Sequence, residues 1–158
     1  MKKLINKIIL VSFTFFFISC AYEPVFKQGT YNFEIEKVSM KGVKKINRII
    51  ENKLSLVEKG NDNEKKKYNI LIESEKKRLI VSNDSKGDPL KFEMVLSVNF
   101  KLIDGENLVL DKDIIKKNIY NNESDKFELE QNEEIILENL SNKVSNLIIS
   151  SIINLNDN

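Results

Sequence analysis

The sequence predicts an α+β fold: a two-layer sandwich in which a four-stranded, mostly antiparallel sheet carries two helices on one face. Three observations lead to this class. Apolar residues alternate at period two in four segments, they recur at helical spacing in two others, and the segments follow the order β-α-β-β-β-α. Because the chain has 158 residues, we expect a single domain, at 31–158.

The first strand and the first helix differ in the spacing of their apolar residues. An alternating segment at 31–39 predicts a half-buried strand. Tyr31, Phe33 and Ile35 lie on one side of it. The next segment has helical spacing, and Gly60 is its predicted C-terminal stop. The apolar positions on the predicted helix face are Val43, Ile46, Ile49, Ile50, Leu54 and Val57.

Three more strands follow a polar loop, and the middle one has the clearest pattern in the chain. The second strand is predicted to begin at Tyr68 and to run irregularly to Val81. A turn at 83–89 leads into the third strand. Its apolar residues at strict period two predict a long strand with one wet face. They are Leu90, Phe92, Met94, Leu96, Val98, Phe100 and Leu102.

The fourth strand is predicted at 107–120, after an Asp-Gly hairpin signal. Its alternation is weaker than that of the third strand. Leu108 and Leu110 fall on one face, whereas Ile115 falls on the other. We therefore expect a bulge near 112–114, since an extra residue in one strand shifts the alternation.

The last predicted element is a long amphipathic helix. Either Ser124 or Asp125 can cap its N-terminus, since both side chains accept hydrogen bonds from backbone N–H groups. Its apolar stripe is predicted to contain Ile136, Leu140, Val144, Leu147, Ser151 and Leu155, and to be widened by Leu137, Ile148 and Ile152. The two helices together supply enough apolar surface to cover the apolar face of the sheet.

The N-terminal residues have the layout of a secretory signal. A basic start precedes an apolar run at 8–19, which is shorter than the roughly 20 residues that a membrane-spanning helix needs. The run ends at Cys20 and resembles the lipobox of bacterial lipoproteins, which are cut before a cysteine that then carries lipid. We expect a lipoprotein signal peptide at 1–19 and a lipidated tether at 20–30. The alternative is a plain secretory signal that happens to contain a cysteine.

Composition excludes several classes of function. The chain has 25 basic and 24 acidic residues, so it lacks the basic excess of a nucleic-acid-binding protein. It contains no histidine and one cysteine, which excludes histidine-based nucleophile pairs and thiolate zinc sites. Asp111 and Asp113 share a strand face, but the lysines around them favour a solvated surface over metal or acid–base chemistry. We therefore expect no enzyme, no cofactor and no metal site.

Four segments of the mature chain resemble those of one known family. Residues 20–26 (CAYEPVF) are similar to a Cys-Gly-Phe-x-Pro-Leu-Tyr opening, and 45–54 (KINRIIENKL) to an Arg-x-x-Arg-Asn-x-Leu helix. Residues 92–99 (FEMVLSVN) resemble a long central strand, and 118–127 (NIYNNESDKF) the junction into a final helix. In this order and spacing, the segments resemble the LptE family of lipopolysaccharide-assembly lipoproteins, in its alphaproteobacterial branch.

The resemblance implies a function without catalysis. Members of the family plug the lumen of the LptD β-barrel, assist its assembly and bind lipopolysaccharide during its transport to the cell surface. Ala21, where an aspartate would follow the cysteine in retained lipoproteins, is typical of sorting to the outer membrane in enteric bacteria. We therefore expect an LptD-type barrel and lipopolysaccharide as partners. We also expect an outer-membrane protein, anchored on the periplasmic face through lipid on Cys20.

The resemblance also implies a basic lipid-binding region near the loop before the third strand. In this chain the region offers Lys86, with Arg78 and Lys91 nearby in sequence. Lipid phosphates require cationic donors of this kind. The alternative is that all three are ordinary surface cations. At the family's second basic position, before the last helix, this chain has Glu130, with Lys126 nearest.

A different class of protein fits the same signals. An accessory lipoprotein of an ABC-type lipid transporter, docked on a periplasmic complex, would also combine a lipobox with an α+β domain. The protein that co-purifies with the detergent-extracted mature chain discriminates between the two. A large outer-membrane barrel favours the LptE-like function, and a permease favours the transporter accessory.

Overall fold

Residues 33–57 and 65–156 are described by a computed structural model. They form a four-stranded mixed sheet and two helices in the order β-α-β-β-β-α, which confirms the α+β class. The elements are β1 (Phe33–Gly42), α1 (Lys44–Leu54), β2 (Lys66–Asn83), β3 (Pro89–Asp104), β4 (Asn107–Asn121) and α2 (Lys126–Asn156). The predicted signal peptide, the predicted tether and Gly60 lie outside the described residues.

The strands lie side by side in the order β1-β2-β3-β4. β1 pairs with β2 in parallel, and the other two pairings are antiparallel. The parallel pairing requires a crossover, which α1 supplies, whereas tight turns suffice for the antiparallel strands. Phe33 therefore lies opposite Lys66 at one end of the sheet, and the β2–β3 turn lies at the other. We call the latter the hairpin end.

The core lies between the helices and one face of the sheet. On β3 the prediction is confirmed at six of the seven apolar positions, which are buried from Phe92 to Leu102. Leu90 is the exception and is half exposed. α1 packs on β1 and β2, and α2 packs on β3 and β4. The helix residues buried against the sheet include Ile46, Ile50, Leu54, Leu140, Val144, Ile148 and Ile152.

A buried serine joins the start of α1 to the sheet. Gly42 adopts a φ of +99°, which turns the chain from β1 into the helix. The N–H of Val43 donates to Ser74 Oγ at 3.0 Å, and that hydroxyl lies 2.6 Å from Asn47 Oδ1. A Cβ at Gly42 would overlap the carbonyl of Ser74. Close approach of the two backbones therefore requires glycine at this position.

The bulge in β4 is not where the sequence predicted it. The extra residue is Val109, because Leu110 pairs with Leu102 while Leu108 pairs with Ile103. Leu108 and Leu110 consequently lie on opposite faces, so the prediction that they share one was wrong. From Leu110 onward the pairing is regular, and no bulge occurs at 112–114.

The N-terminus of α2 agrees with the prediction, and its apolar stripe agrees in part. Asp125 is the cap, since its carboxylate accepts the N–H of Phe127 at 2.8 Å. Leu147, predicted to be in the stripe, is partly exposed. Ile148 is buried as predicted, and Ile149, which was not predicted, is buried as well. Within 33–57 and 65–156, no helix is both long and apolar enough to cross a membrane.

Candidate ligand site on the β2–β3 hairpin

The hairpin of β2 and β3 extends beyond the cover that the helices provide. On β2 the last buried residue is Ser74, and none of the following residues of this strand is buried. On β3 the helix-side residues remain buried as far as Phe92, because α2 lies over β3 and β4. The helix side of β2 past Ser74 is therefore an open ledge beside α2. We call it the β2 ledge; its residues are Lys76, Arg78 and Ile80.

Four large apolar side chains are exposed on this hairpin. Leu79, Ile80, Val81 and Leu90 are 48, 59, 49 and 50% exposed, respectively. Ile80 pairs with buried Phe92 and so lies on the helix side, whereas Leu79 pairs with Glu93 on the outer face. Both faces of the hairpin therefore present apolar surface to the surroundings. Such a grouping is typical of binding sites for apolar ligands or partners.

Lys86 lies at the tip of the hairpin, in a turn fixed by Asp84. One carboxylate oxygen of Asp84 accepts the N–H groups of Lys86 and Asp88, both at 2.8 Å. Gly87 follows with a φ of +92°, a conformation that glycine adopts without strain. The turn thus has a defined shape, and the exposed ammonium group of Lys86 stands at its end.

Lys91 and Arg78 lie on opposite faces of the hairpin. Lys91 precedes Phe92, whose side chain is buried on the helix side, so the exposed Lys91 lies on the outer side. Arg78 pairs with Met94 and lies on the helix side, on the β2 ledge. The structure therefore brings the three predicted cations to one hairpin but does not gather them in one cluster. Among the described residues, neither Lys86 nor Lys91 forms an ion pair.

Arg78, unlike the two lysines, already has partners. Its guanidinium carbon lies 3.8 Å from the centroid of the Phe92 ring, and Nη1 lies 3.1 Å from Glu133 Oε1. The hydroxyl of Tyr120 donates to the same carboxylate oxygen at 2.7 Å. Burial, followed by the neighbouring Glu133, raises the pKa of Tyr120 well above its ordinary value, so this phenol is a hydrogen-bond donor throughout the physiological range.

Sequence reasoning missed the partners of Arg78. Glu133 is 55 positions further along the chain, on α2, and reaches Arg78 because α2 crosses β3 and β4 at this end. The strand register in the structure accounts for the aromatic partner. Ile80, Phe92 and Tyr120 form one row across three strands, so two aromatic rings had to lie beside the β2 ledge.

The other charged positions considered from the sequence lie on the surface, where they are hydrogen-bonded, ion-paired or exposed. Asn99 donates to both Asp111 and Asp113 at 2.9 Å, and Lys101 lies 3.2 Å from Asp111. The hydrogen bond from Asn99, followed by that from Lys101, lowers the pKa of Asp111. Across the described ranges, no group of three or more potential metal ligands is present. Lys126, the first residue of α2, is exposed.

No protein-family model matches the chain, and no curated protein sequence matches it significantly. Solved structures do match. Lipoprotein B from Nitrosomonas europaea is 20% identical with a TM-score of 0.60, covering 83% of this chain and 91% of that one. Rare lipoprotein B from Shewanella oneidensis is 15% identical with a TM-score of 0.57, covering 73% and 92%, respectively.

A minor lipoprotein from Acinetobacter baumannii is similar at 16% identity, with a TM-score of 0.54 over 76% of this chain and 90% of that one. At such identities the likeness concerns the fold alone. The matched regions include nearly the full length of each of these structures and most of this chain. The chain therefore has the fold of rare lipoprotein B and of other bacterial lipoproteins.

Proposed function

We propose that this chain is a lipid-anchored outer-membrane lipoprotein that plugs and helps to assemble an LptD-type β-barrel and binds lipopolysaccharide during transport. The observation that carries the lipid-binding part is the uncovered hairpin, where exposed apolar side chains lie beside exposed cations. An anionic amphiphile needs both kinds of contact: cationic donors for its phosphates and apolar surface for its acyl chains. The fold shared with bacterial lipoproteins supports the same function.

The position of the hairpin suits a protein anchored through Cys20. Phe33 lies thirteen positions after Cys20, and a chain of that length reaches at most about 45 Å when fully extended. β2 has 18 residues, so the sheet is about 55 Å long from the end near Phe33 to the hairpin end. An anchor at one end of the sheet thus leaves the hairpin free to contact lipid that is being carried away from the anchoring leaflet.

The outer face of the sheet suits a partner with mixed polarity, such as the inner wall of a barrel. Leu79, Ile115 and Ile119 are exposed on this face. The charges around them are neutralised by three ion pairs: Lys77 with Glu75, Lys117 with Glu93, and Lys101 with Asp111. A surface that is partly apolar and charge-balanced remains soluble before assembly and is covered afterwards.

The lipid-binding proposal is tested by reversing the two unpaired cations of the hairpin. Lys86→Glu with Lys91→Glu should weaken binding of lipopolysaccharide, and the loss should be greater at low salt, where exposed charges are screened least. The folded state should change by less than about 0.5 kcal/mol, since neither lysine forms an ion pair in the described structure.

The matched control is Lys37→Glu with Lys66→Glu. Both residues are exposed strand lysines near the opposite end of the sheet, and this pair makes the same change in net charge. Titrations of lipopolysaccharide into wild type, double variant and control at two salt concentrations measure the effect. Equal affinity in all three proteins would mean that Lys86 and Lys91 are ordinary surface cations.

The anchor and the partner are tested on the cell envelope. Cys20→Ala should abolish acyl labelling and move the protein out of the outer-membrane fraction. Normal labelling and location of this variant would refute the lipoprotein assignment. Detergent extraction of the wild-type protein should recover a large β-barrel. Recovery of a transport permease instead would favour the ABC-transporter accessory.

A further inference from the structure

The β2 ledge has the chemistry of a second lipid contact. Lys76, Arg78 and Ile80 occupy alternate positions of β2 and therefore lie on the same side of the strand. All three are exposed, and no ion pair of Lys76 is found among the described residues. Lys76 and Arg78 can contact the phosphate of a lipid, and Ile80, next along the strand, can contact its acyl chains.

The ledge differs from an ordinary basic patch because an anion already occupies it. Glu133 contacts Nη1 of Arg78, while the guanidinium also lies over the ring of Phe92. The Arg78 side chain is 45% exposed, and that of Glu133 is 18% exposed. Solvent and ligands can therefore approach the arginine. A ligand that binds Nη1 of Arg78 must displace the carboxylate of Glu133 from it.

We propose that Glu133 is a built-in competitor for Arg78, so that the ledge accepts lipids with a phosphomonoester and discriminates against lipids with a phosphodiester. The inference rests on the proposed lipid-binding function and specifies the class of head group. Its physical basis is a comparison of charge. A phosphodiester has one negative charge, as the Glu133 carboxylate has, so replacing one by the other brings little electrostatic gain.

A phosphomonoester is a stronger ligand for the ledge. It carries about −1.5 to −2 charges at pH 7 and has three acceptor oxygens. It can therefore accept two hydrogen bonds from the guanidinium of Arg78 and still attract the ammonium group of Lys76. Ile80, two positions further along the strand, provides apolar surface for an acyl chain.

When a ligand displaces the Glu133 carboxylate from Arg78, no buried group is left without a partner. The carboxylate keeps the hydrogen bond from the Tyr120 hydroxyl when Arg78 turns to the ligand. The guanidinium can remain over the Phe92 ring, which holds it in place independently of its ion pair. The exchange therefore moves one charged contact and requires no opening of the core.

Short-chain lipids provide the test, because they can be titrated into the detergent-extracted mature protein. Wild type should bind dihexanoyl phosphatidic acid, a phosphomonoester, about tenfold or more tightly than dihexanoyl phosphatidylglycerol, a phosphodiester. Glu133→Gln should reduce this ratio to about threefold or less, mainly by strengthening phosphatidylglycerol binding. In Arg78→Gln, the added Glu133→Gln change should have no further effect on either lipid.

Glu134→Gln is the matched control. It removes the same charge from the neighbouring position of α2, but its partner is Lys45, and it does not contact Arg78. It should leave the ratio at its wild-type value. A similar ratio in wild type and Glu133→Gln would overturn the proposal, and so would a wild-type protein that binds both lipids equally. Denaturation curves of each variant establish that the protein compared is folded.

A second readout reports on Arg78 directly. The chain has two arginines, Arg48 and Arg78, so the Nε–H region of an NMR spectrum contains two arginine signals. Phosphatidic acid should shift the Arg78 signal and leave that of Arg48 unchanged, so Arg48 serves as an internal control.

Failure of lipopolysaccharide binding together with preserved discrimination between the two short-chain lipids would refute the proposed function but not this site. The opposite result would refute the site alone.

Discussion

The two halves of strand β2 obey the same alternation but have different surroundings. In the first half, Tyr68, Ile70 and Ile72 lie under the helices and are buried. In the second half, Lys76, Arg78 and Ile80 lie on the same side and are exposed. Ser74 marks the boundary, where its hydroxyl contacts the start of α1. A strand pattern therefore indicates which residues share a face, whereas the extent of the helices decides whether that face is core or exposed surface.

The strongest test of this contrast compares the same kind of truncation at a position covered by the helices and at an uncovered one. Leu96→Ala removes a fully buried side chain from β3 and should lower the free energy of unfolding by about 2–5 kcal/mol. Leu79→Ala, on the exposed hairpin, should cost less than about 0.5–1 kcal/mol. Urea denaturation measures both. A loss below about 1 kcal/mol at Leu96 would contradict the assignment of the core face.

A second test concerns the boundary itself. Gly42→Ala introduces a Cβ that overlaps the backbone of Ser74 and imposes an unfavourable φ, so unfolding free energy should fall by about 2–4 kcal/mol. Gly87→Ala is the control: its φ is similar, but a Cβ there has no heavy atom within 4 Å. It should cost about 1–2 kcal/mol, the conformational part alone. Equal losses would show that the contact with Ser74 is not close.

The next test uses the hydrogen bond that joins β4 to α2 beside the ledge. Tyr120→Phe should destabilise the protein by about 1–2 kcal/mol, because the phenol donates to a charged carboxylate. The folded-state pKa of Tyr120 is raised above the ordinary 10.0, so its contribution is fully present below pH 10 and is lost as pH rises toward the folded-state value. Wild type should therefore lose more stability than Tyr120→Phe above pH 10. Parallel pH profiles would contradict this.

The smallest expected effect on stability is on the ledge, where lipid affinity is the quantity that should change. Ile80→Ser should leave the free energy of unfolding within about 0.5 kcal/mol of wild type but weaken lipopolysaccharide binding several-fold. Ile115→Ser is the control, since Ile115 is a strand residue of similar exposure, 57%, on the outer face. Loss of lipid affinity in both variants would mean that the contact is not confined to the hairpin.

Sequence reasoning succeeded where a local pattern determines the structure. The period-two run from Phe92 to Leu102 predicted the central strand and its buried face. Asp125 was identified as one of two possible caps because capping depends on residues within one helical turn. The order of elements followed from these local patterns, and the α+β class followed from the order.

The errors arose where contacts between distant residues decide the outcome. Leu90 continues the apolar pattern of β3 but lies beyond the helices, so it is exposed. Val95, by contrast, belongs to the wet face and is buried, because it lies in one row with Lys77 and Lys117, whose aliphatic stems flank it. The bulge lies at Val109 and not at the predicted 112–114, because the weak alternation of β4 does not fix its register.

The single parallel pairing, between β1 and β2, has a consequence for the order of folding. The antiparallel strands β2, β3 and β4 pair across short turns and close small loops, whereas more than thirty residues of chain separate Phe33 from its partner Lys66. Contacts of high sequence separation form slowly. We expect the three-stranded meander with α2 to assemble first and β1 with α1 to dock afterwards. The strand that leads from the N-terminal segment is thus the last to acquire its place in the sheet.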